Sequence, residues 1–245
     1  MDLILSFLSK TFAFDENSPL LFTQFYFWAF FAIVFAVFSL IHSKRLLRNT
    51  FLFIVSLFFY YKTSGLFVLL LIFATISDFF IAKLVYRSEK ELHRKLFVGL
   101  SVCINLLVLS YFKYSYFFID LVNSLFGTTF QVYDYFAAIG NALTGSNRFN
   151  VDQIILPVGI SFYTFQTISY TMDVYRHRVA PVKNILDYGF YVSFFPQLVA
   201  GPIVRAAEFI PQVYKPYFLG RRQFGIAIFW ILNGLAKKII LSDYL

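Results

Sequence analysis

Charge is scarce in this chain. Asp, Glu, Lys and Arg make up 14% of its 245 residues, whereas a soluble domain carries about a quarter. That excludes an ordinary water-soluble globular protein. Cysteine is nearly absent: the single Cys103 lies inside an apolar run, so no disulfide and no thiolate metal site can be built from it. There is no Gly-Lys phosphate loop, no H-E-x-x-H and no spaced Cys/His set. Ser161, in Gly159-Ile160-Ser161-Phe162-Tyr163, does not fit the G-x-S-x-G elbow. Histidine is sparse too. His42, His93 and His177 all fall in basic stretches and are expected to be solvated loop residues. Spacing alone assembles no catalytic constellation and no metal site. The N-terminus puts Asp2 where a signal peptide needs positive charge, so an interfacial helix is expected there, with Leu3, Ile4, Phe7, Leu8 and Phe12 on one face.

Apolar sequence is what the chain has in abundance: 59% of residues are hydrophobic and 22% aromatic. This is the composition of an all-α, polytopic membrane protein, read here as a single transmembrane domain over residues 1–245. A span takes about 20 apolar residues. Leu20 to Ile41 forms a first span, and Phe51 to Tyr61, extended back to Leu46, a second. Leu66 to Ala82 forms a third and Leu96 to Phe112 a fourth, which closes in the anchor Tyr111-Phe112-Lys113-Tyr114. Phe117 to Phe126 is short and expected at the interface. Gly127 to Gln153 is polar and reads as the longest loop; Ile154 to Met172 is a fifth span, and Phe224 to Ala236 opens another.

The net charge of +8 raises nucleic acid as a partner. The positive residues instead sit in short clusters between spans, so no nucleic-acid role is assigned. The clusters are Lys44, Arg45 and Arg48; then Lys83 to Lys95; then Arg176, Arg178 and Lys183; then Arg205, Lys215, Arg221 and Arg222. The intervening ends hold only Lys10, Lys62, Lys113 and Arg148. By the positive-inside rule the chain is multi-pass with its N-terminus outside.

The basic clusters on either side of residues 185–204 face the same way, so that segment enters the membrane and returns. Pro196 and Pro202 remove backbone donors and Gly201 allows tight geometry. Such backbone is tolerated at membrane depth only inside protein or against a water-filled cavity. Gln197 is the side chain expected to make a polar contact there, with Arg205 and Glu208 at the edge as an i, i+3 pair. Polar residues also punctuate the spans. Gln166, Ser169, Tyr170 and Asp173 share one helix face, which fits interhelical hydrogen bonding or a tunnel wall. Asp173 is expected to pair locally with Arg176 or His177. Asp78, with Thr75 one turn before it, reads as a structural partner. Ser101 and Asn105 read as glue between helices.

Residues 155–166 (ILPVGISFYTFQ), Ser169-Tyr170, Asp173-Val174-Tyr175-Arg176 and residues 191–205 (YVSFFPQLVAGPIVR) resemble the membrane-bound O-acyltransferase family, in the bacterial branch that acylates envelope polysaccharides. The anchor at 111–114 and Gly234-Leu235-Ala236-Lys237-Lys238 look similar as well. The resemblance implies a ring of helices around a thin centre, in a bacterial inner membrane. It implies acyl transfer from a cytoplasmic thioester, on coenzyme A or a carrier protein, to an extracytoplasmic hydroxyl. No bound cofactor is implied. Expected partners are membrane lipids, the acyl donor and extracytoplasmic polysaccharide-modifying proteins. The family's reactive His has no counterpart here and is expected beyond Leu245, the chain reading as an N-terminal half that is inactive alone. Gln166, Ser169, Tyr170, Asp173, Pro196, Gln197, Gly201, Pro202 and Arg205 become candidates for the tunnel wall. A transporter or flippase, with its broken midplane helix, and a non-catalytic export scaffold are the competing classes.

Overall fold

A computed structural model describes residues 24–145, 149–198 and 201–242. The interfacial helix expected around Leu3 to Phe12 lies outside them. Among the described residues every regular element is helical.

The first helix, α1, runs Phe25–Ile41 and is apolar on every face. Helix α2 covers Arg45–Ser64. Gly65 then takes φ 60°, ψ −134°, open to glycine for want of a Cβ, and a 3-10 turn over Gly65–Phe67 leads into α3, Val68–Arg87. The chain reverses there. Asn49, near the start of α2, bonds Asp187, and Lys83, near the end of α3, reaches the Lys183 carbonyl at 3.3 Å. The stretch Arg45–Arg87 is long and apolar enough to cross a membrane.

Helix α4 corrects the sequence reading. The fourth span and the short segment after it form one helix, Glu91–Phe126, of 36 residues. The anchor at Tyr111 to Tyr114 contains no helix breaker, so the helix continues until Gly127 ends it in the left-handed conformation. At 1.5 Å per residue it is about 54 Å long, against about 30 Å of hydrocarbon. His93 therefore lies in a helix and not in a loop, although it is exposed. The expected long loop also contains a helix, α5, Tyr135–Thr144. Asp134 caps it, its carboxylate accepting from the Phe136 and Ala137 amides at 2.9 and 3.1 Å.

The fifth span is shorter than expected. Pro157 and Gly159 (φ 75°) keep its first residues non-helical, and α6 begins only at Ile160 and ends at Tyr175. Three short helices follow: α7, Ile185–Ser193; α8, Phe195–Leu198; and α9, Ala206–Tyr214. Pro211 sits inside α9 and does not end it; the helix is short and the proline exposed. Last comes α10, Arg221–Ala236, continued by a π-helical turn over Lys237–Ser242. It buries none of its residues.

Helix α3 is central, packing on α4, α6 and α7. The densest core is aromatic: Tyr60, Tyr163, Tyr170, Tyr188 and Tyr191 are all almost completely buried, with the Tyr170 and Tyr188 rings 4.6 Å apart. A second cluster joins Phe27, Phe59 and Phe195. Many large apolar side chains stay exposed around this core, as expected where lipid replaces water. The polar contacts sort into two ends. Arg48, Asp187, Lys83, Lys183, Arg94 and Tyr175 meet at one. Asp134 with Tyr111, Ile154 with Tyr116, and Val158 with Tyr60 and Ser64 meet at the other. The basic clusters read from the sequence thus gather at one end.

Candidate functional site

Between Asp187 and Lys215 the described residues, 187–198 and 201–215, contact α2 at three places. Asp187 accepts from Asn49 Nδ2 at 2.7 Å. The Phe195 amide donates to Ser56 Oγ at 3.3 Å, about two turns further along α2. The Val213 and Lys215 carbonyls then accept from the Arg48 guanidinium, which also bonds Asn49 Oδ1 at 3.1 Å. The chain leaves the level of Asn49, reaches that of Ser56 and comes back to that of Arg48.

The helix break level with Ser56 exposes a carbonyl. Helix α7 ends at Ser193, and Phe195, which would have bonded Tyr191 O in a continuous helix, turns to Ser56. The Tyr191 carbonyl is satisfied instead by two side chains. Gln166 Nε2 donates to it at 2.9 Å and Gln197 Nε2 at 2.8 Å. One carbonyl has room for both. The Tyr191 hydroxyl donates to the Val204 carbonyl at 3.1 Å, tying the outgoing segment to the incoming helix. Two glycines make the turn close-packed. A Cβ on Gly159 would lie 2.4 Å from the Leu198 carbonyl oxygen, and one on Gly201 would lie 2.4 Å from Gln197 Cα.

Of the residues singled out in the sequence, Gln166, Gln197 and Gly201 are therefore brought together around Tyr191. Tyr170 is near in the core, its hydroxyl accepting from the Val182 amide at 3.0 Å. Ser169 is only partly buried. Asp173 pairs with Arg178 at 3.8 Å, not with Arg176 or His177. The helix ends at Tyr175 and His177 takes φ 55°, which swings Arg178 back over Asp173. Pro196 and Pro202 are exposed. Arg205 is exposed at the N-cap of α9 in extended geometry, so it lacks helical spacing to Glu208; among the described residues no ion pair joins them.

A second polar centre clamps three helices. Asp78, completely buried on α3, accepts from Ser101 Oγ and from Asn105 Nδ2, the latter at 2.7 Å, both on α4. Thr167 on α6 donates to Asn105 Oδ1 at 3.0 Å. Thr75 takes no part and bonds its own helix at the Leu71 carbonyl. A buried carboxylate without donors is costly, and these donors are what make its burial tolerable. The sequence had marked three of the four residues of this clamp, Asp78, Ser101 and Asn105, but neither Thr167 nor their meeting. It had not marked Arg48, Asn49, Ser56, Asp187 or Tyr191 as partners. The signal available for Arg48, Asn49 and Asp187 was polar residues continuing into apolar sequence. Among the described residues no cluster of His, Cys, Asp and Glu could hold a metal ion.

No protein-family model and no solved structure matches the chain. It is similar to curated proteins. A peptidoglycan O-acetyltransferase of Helicobacter pylori is 29% identical over 93% of this chain and 44% of its own length. A probable alginate O-acetylase AlgI of Pseudomonas aeruginosa is 32% identical over 81% of this chain and 35% of its own length. One of Pseudomonas putida is 31% identical over 83% and 39%. The chain thus spans less than half the length of these relatives.

Proposed function

Because this chain belongs to the membrane-bound O-acyltransferase family, we propose that it forms the N-terminal half of a membrane O-acyltransferase domain. That enzyme moves an acyl group, acetyl by the names of the relatives, from a thioester donor to a hydroxyl of an envelope polysaccharide or peptidoglycan. The observation that carries this is the similarity to named O-acetyltransferases over most of the chain.

Residues 185–198 and 201–215 form a re-entrant wall between the two mouths. Support comes from their contacts, which run from Asn49 to Ser56 and back to Arg48. Gln166 and Gln197 hold the broken backbone of this wall. Pro196, Gly201, Pro202 and Arg205 belong to the same wall, and Ser169, Tyr170 and Asp173 face the tunnel from α6 beside it. The basic end faces the cytoplasm in a bacterial inner membrane, with the N-terminus outside, as its Lys and Arg clusters favour. On this reading an anionic donor, acyl-coenzyme A or an acyl carrier protein, meets the basic mouth, and the acceptor, with any polysaccharide-modifying partners, meets the other. The catalytic His lies beyond Leu245 and acts as general base on the acceptor hydroxyl, in a site whose donors stabilise the oxyanion. The chain alone is inactive.

The test uses the full-length protein in sealed vesicles of known sidedness. Label from acyl-coenzyme A, or from an acylated carrier protein, should reach acceptor inside the vesicle only when the basic end faces out. Transfer with the opposite sidedness refutes the orientation, and no transfer from either donor refutes the reaction.

A further inference from the structure

A groove of about 1160 Å³ opens beside this wall, somewhat larger than the roughly 300–1,000 Å³ usual for ligand pockets. Its sides are aromatic, from Phe31, Phe35 and Phe38 on α1 and Phe190 and Phe194 opposite. One end reaches Phe195 and Pro196, level with Ser56; the other reaches Arg48 and Lys215. Eight residues of α2 separate Arg48 from Ser56, so the groove is roughly 12 Å deep along the helix. One leaflet of hydrocarbon is about 15 Å. The shallow end is basic. Lys215 is exposed, and Lys44, Arg45, Arg221 and Arg222 lie on the flanking chain, against a single acid, Glu208, in the lining. Arg48 is buried, with its donors on the Val213 and Lys215 carbonyls and Asn49, so it fixes the groove's mouth and leaves Lys215 to meet a ligand.

We propose that this groove holds an anionic phospholipid of the surrounding leaflet, one acyl chain along the phenylalanines and the phosphate at Lys215. Two features select this occupant: an apolar trough about one leaflet deep, and positive charge only at the headgroup end. The proposal goes beyond acyl transfer and requires no reaction.

The full-length protein is released from bilayers of equal phosphatidylglycerol and phosphatidylcholine, and retained lipids are counted by native mass spectrometry. The wild type should keep phosphatidylglycerol in preference. Ala207→Trp, at an exposed residue of the lining, should lose it. Lys215→Gln, on an exposed side chain that folding does not need, should weaken retention about fivefold, the effect of one basic residue near an anionic surface. Glycerol 3-phosphate, which has the anion and no tail, should not displace the lipid. Equal retention of the two lipids overturns the proposal, as does undiminished phosphatidylglycerol in Lys215→Gln. Displacement by glycerol 3-phosphate or by acetyl-coenzyme A assigns the groove to a soluble anion or to the donor, and also overturns it.

Discussion

Replacing Gln166 and Gln197 by leucine, singly and together, measures how the broken helix at Tyr191 is held. Both amides donate to the same carbonyl, at 2.9 and 2.8 Å, and all three residues are buried. Leucine is close in volume and cannot donate. In either single variant the Tyr191 carbonyl keeps one donor, so the loss is that of one hydrogen bond, about 0.5–1.5 kcal/mol. In the double variant the carbonyl is orphaned in a dry core. That adds the desolvation penalty of a buried unsatisfied group, about 1–3 kcal/mol. The double variant should therefore be less stable than the sum of the singles by that coupling, for a total loss of about 2–6 kcal/mol. The assay is equilibrium unfolding of the full-length protein in mixed micelles, with membrane abundance as a second readout. Additive losses, with a coupling below about 0.5 kcal/mol, would refute the shared-carbonyl account. Singles that lose transfer with stability intact would move these glutamines from holding the wall to contacting substrate.

Three further outcomes follow from the geometry. Gly159→Ala should lose at least about 2 kcal/mol, since it adds left-handed strain to a 2.4 Å approach to Leu198; Gly225→Ala, with open space around its Cβ, should be neutral or gain up to about 1 kcal/mol, and thermal denaturation compares the two. Asp78→Leu should leave Ser101 and Asn105 without their acceptor and lower stability by about 1–3 kcal/mol, which the same unfolding assay reads; an unchanged midpoint would remove the clamp from the account. In a Cys103→Ser background, Thr129→Cys should react with an impermeant thiol reagent added to intact cells and Lys183→Cys should not; labelling of Lys183→Cys reverses the orientation.

The fold class was legible because scarce charge and long apolar runs leave few alternatives, and the asymmetry of Lys and Arg marked the two ends that the contacts reproduce. Polar residues in apolar sequence were legible one by one. Their meetings were not: Asp78 is 23 residues from Ser101 and 27 from Asn105, and helical spacing speaks only within a helix. The pairing of Asp173 with Arg178 depends on a positive φ at His177, which a histidine does not announce. Two misses had signals. No breaker separates Lys113 from Phe126, so the helix had no cause to stop at its aromatic anchor. Asp134 before an apolar decapeptide was a cap in plain sight. The Tyr191 carbonyl had none, because its need for donors arises only once α7 breaks and the Phe195 amide turns to Ser56.

Acyl transfer to an envelope polymer is tested most directly by the ester-linked acyl groups on that polymer in the cell. The full-length gene is deleted and then restored, and acetate released by mild alkali from purified peptidoglycan and from exported polysaccharide is quantified. Acyl transfer predicts that one of these polymers loses its ester acetate on deletion and regains it on complementation with the full-length gene, but not with residues 1–245 alone. Unchanged ester acetate on both polymers after deletion, with no other ester-linked acyl group lost, would contradict it.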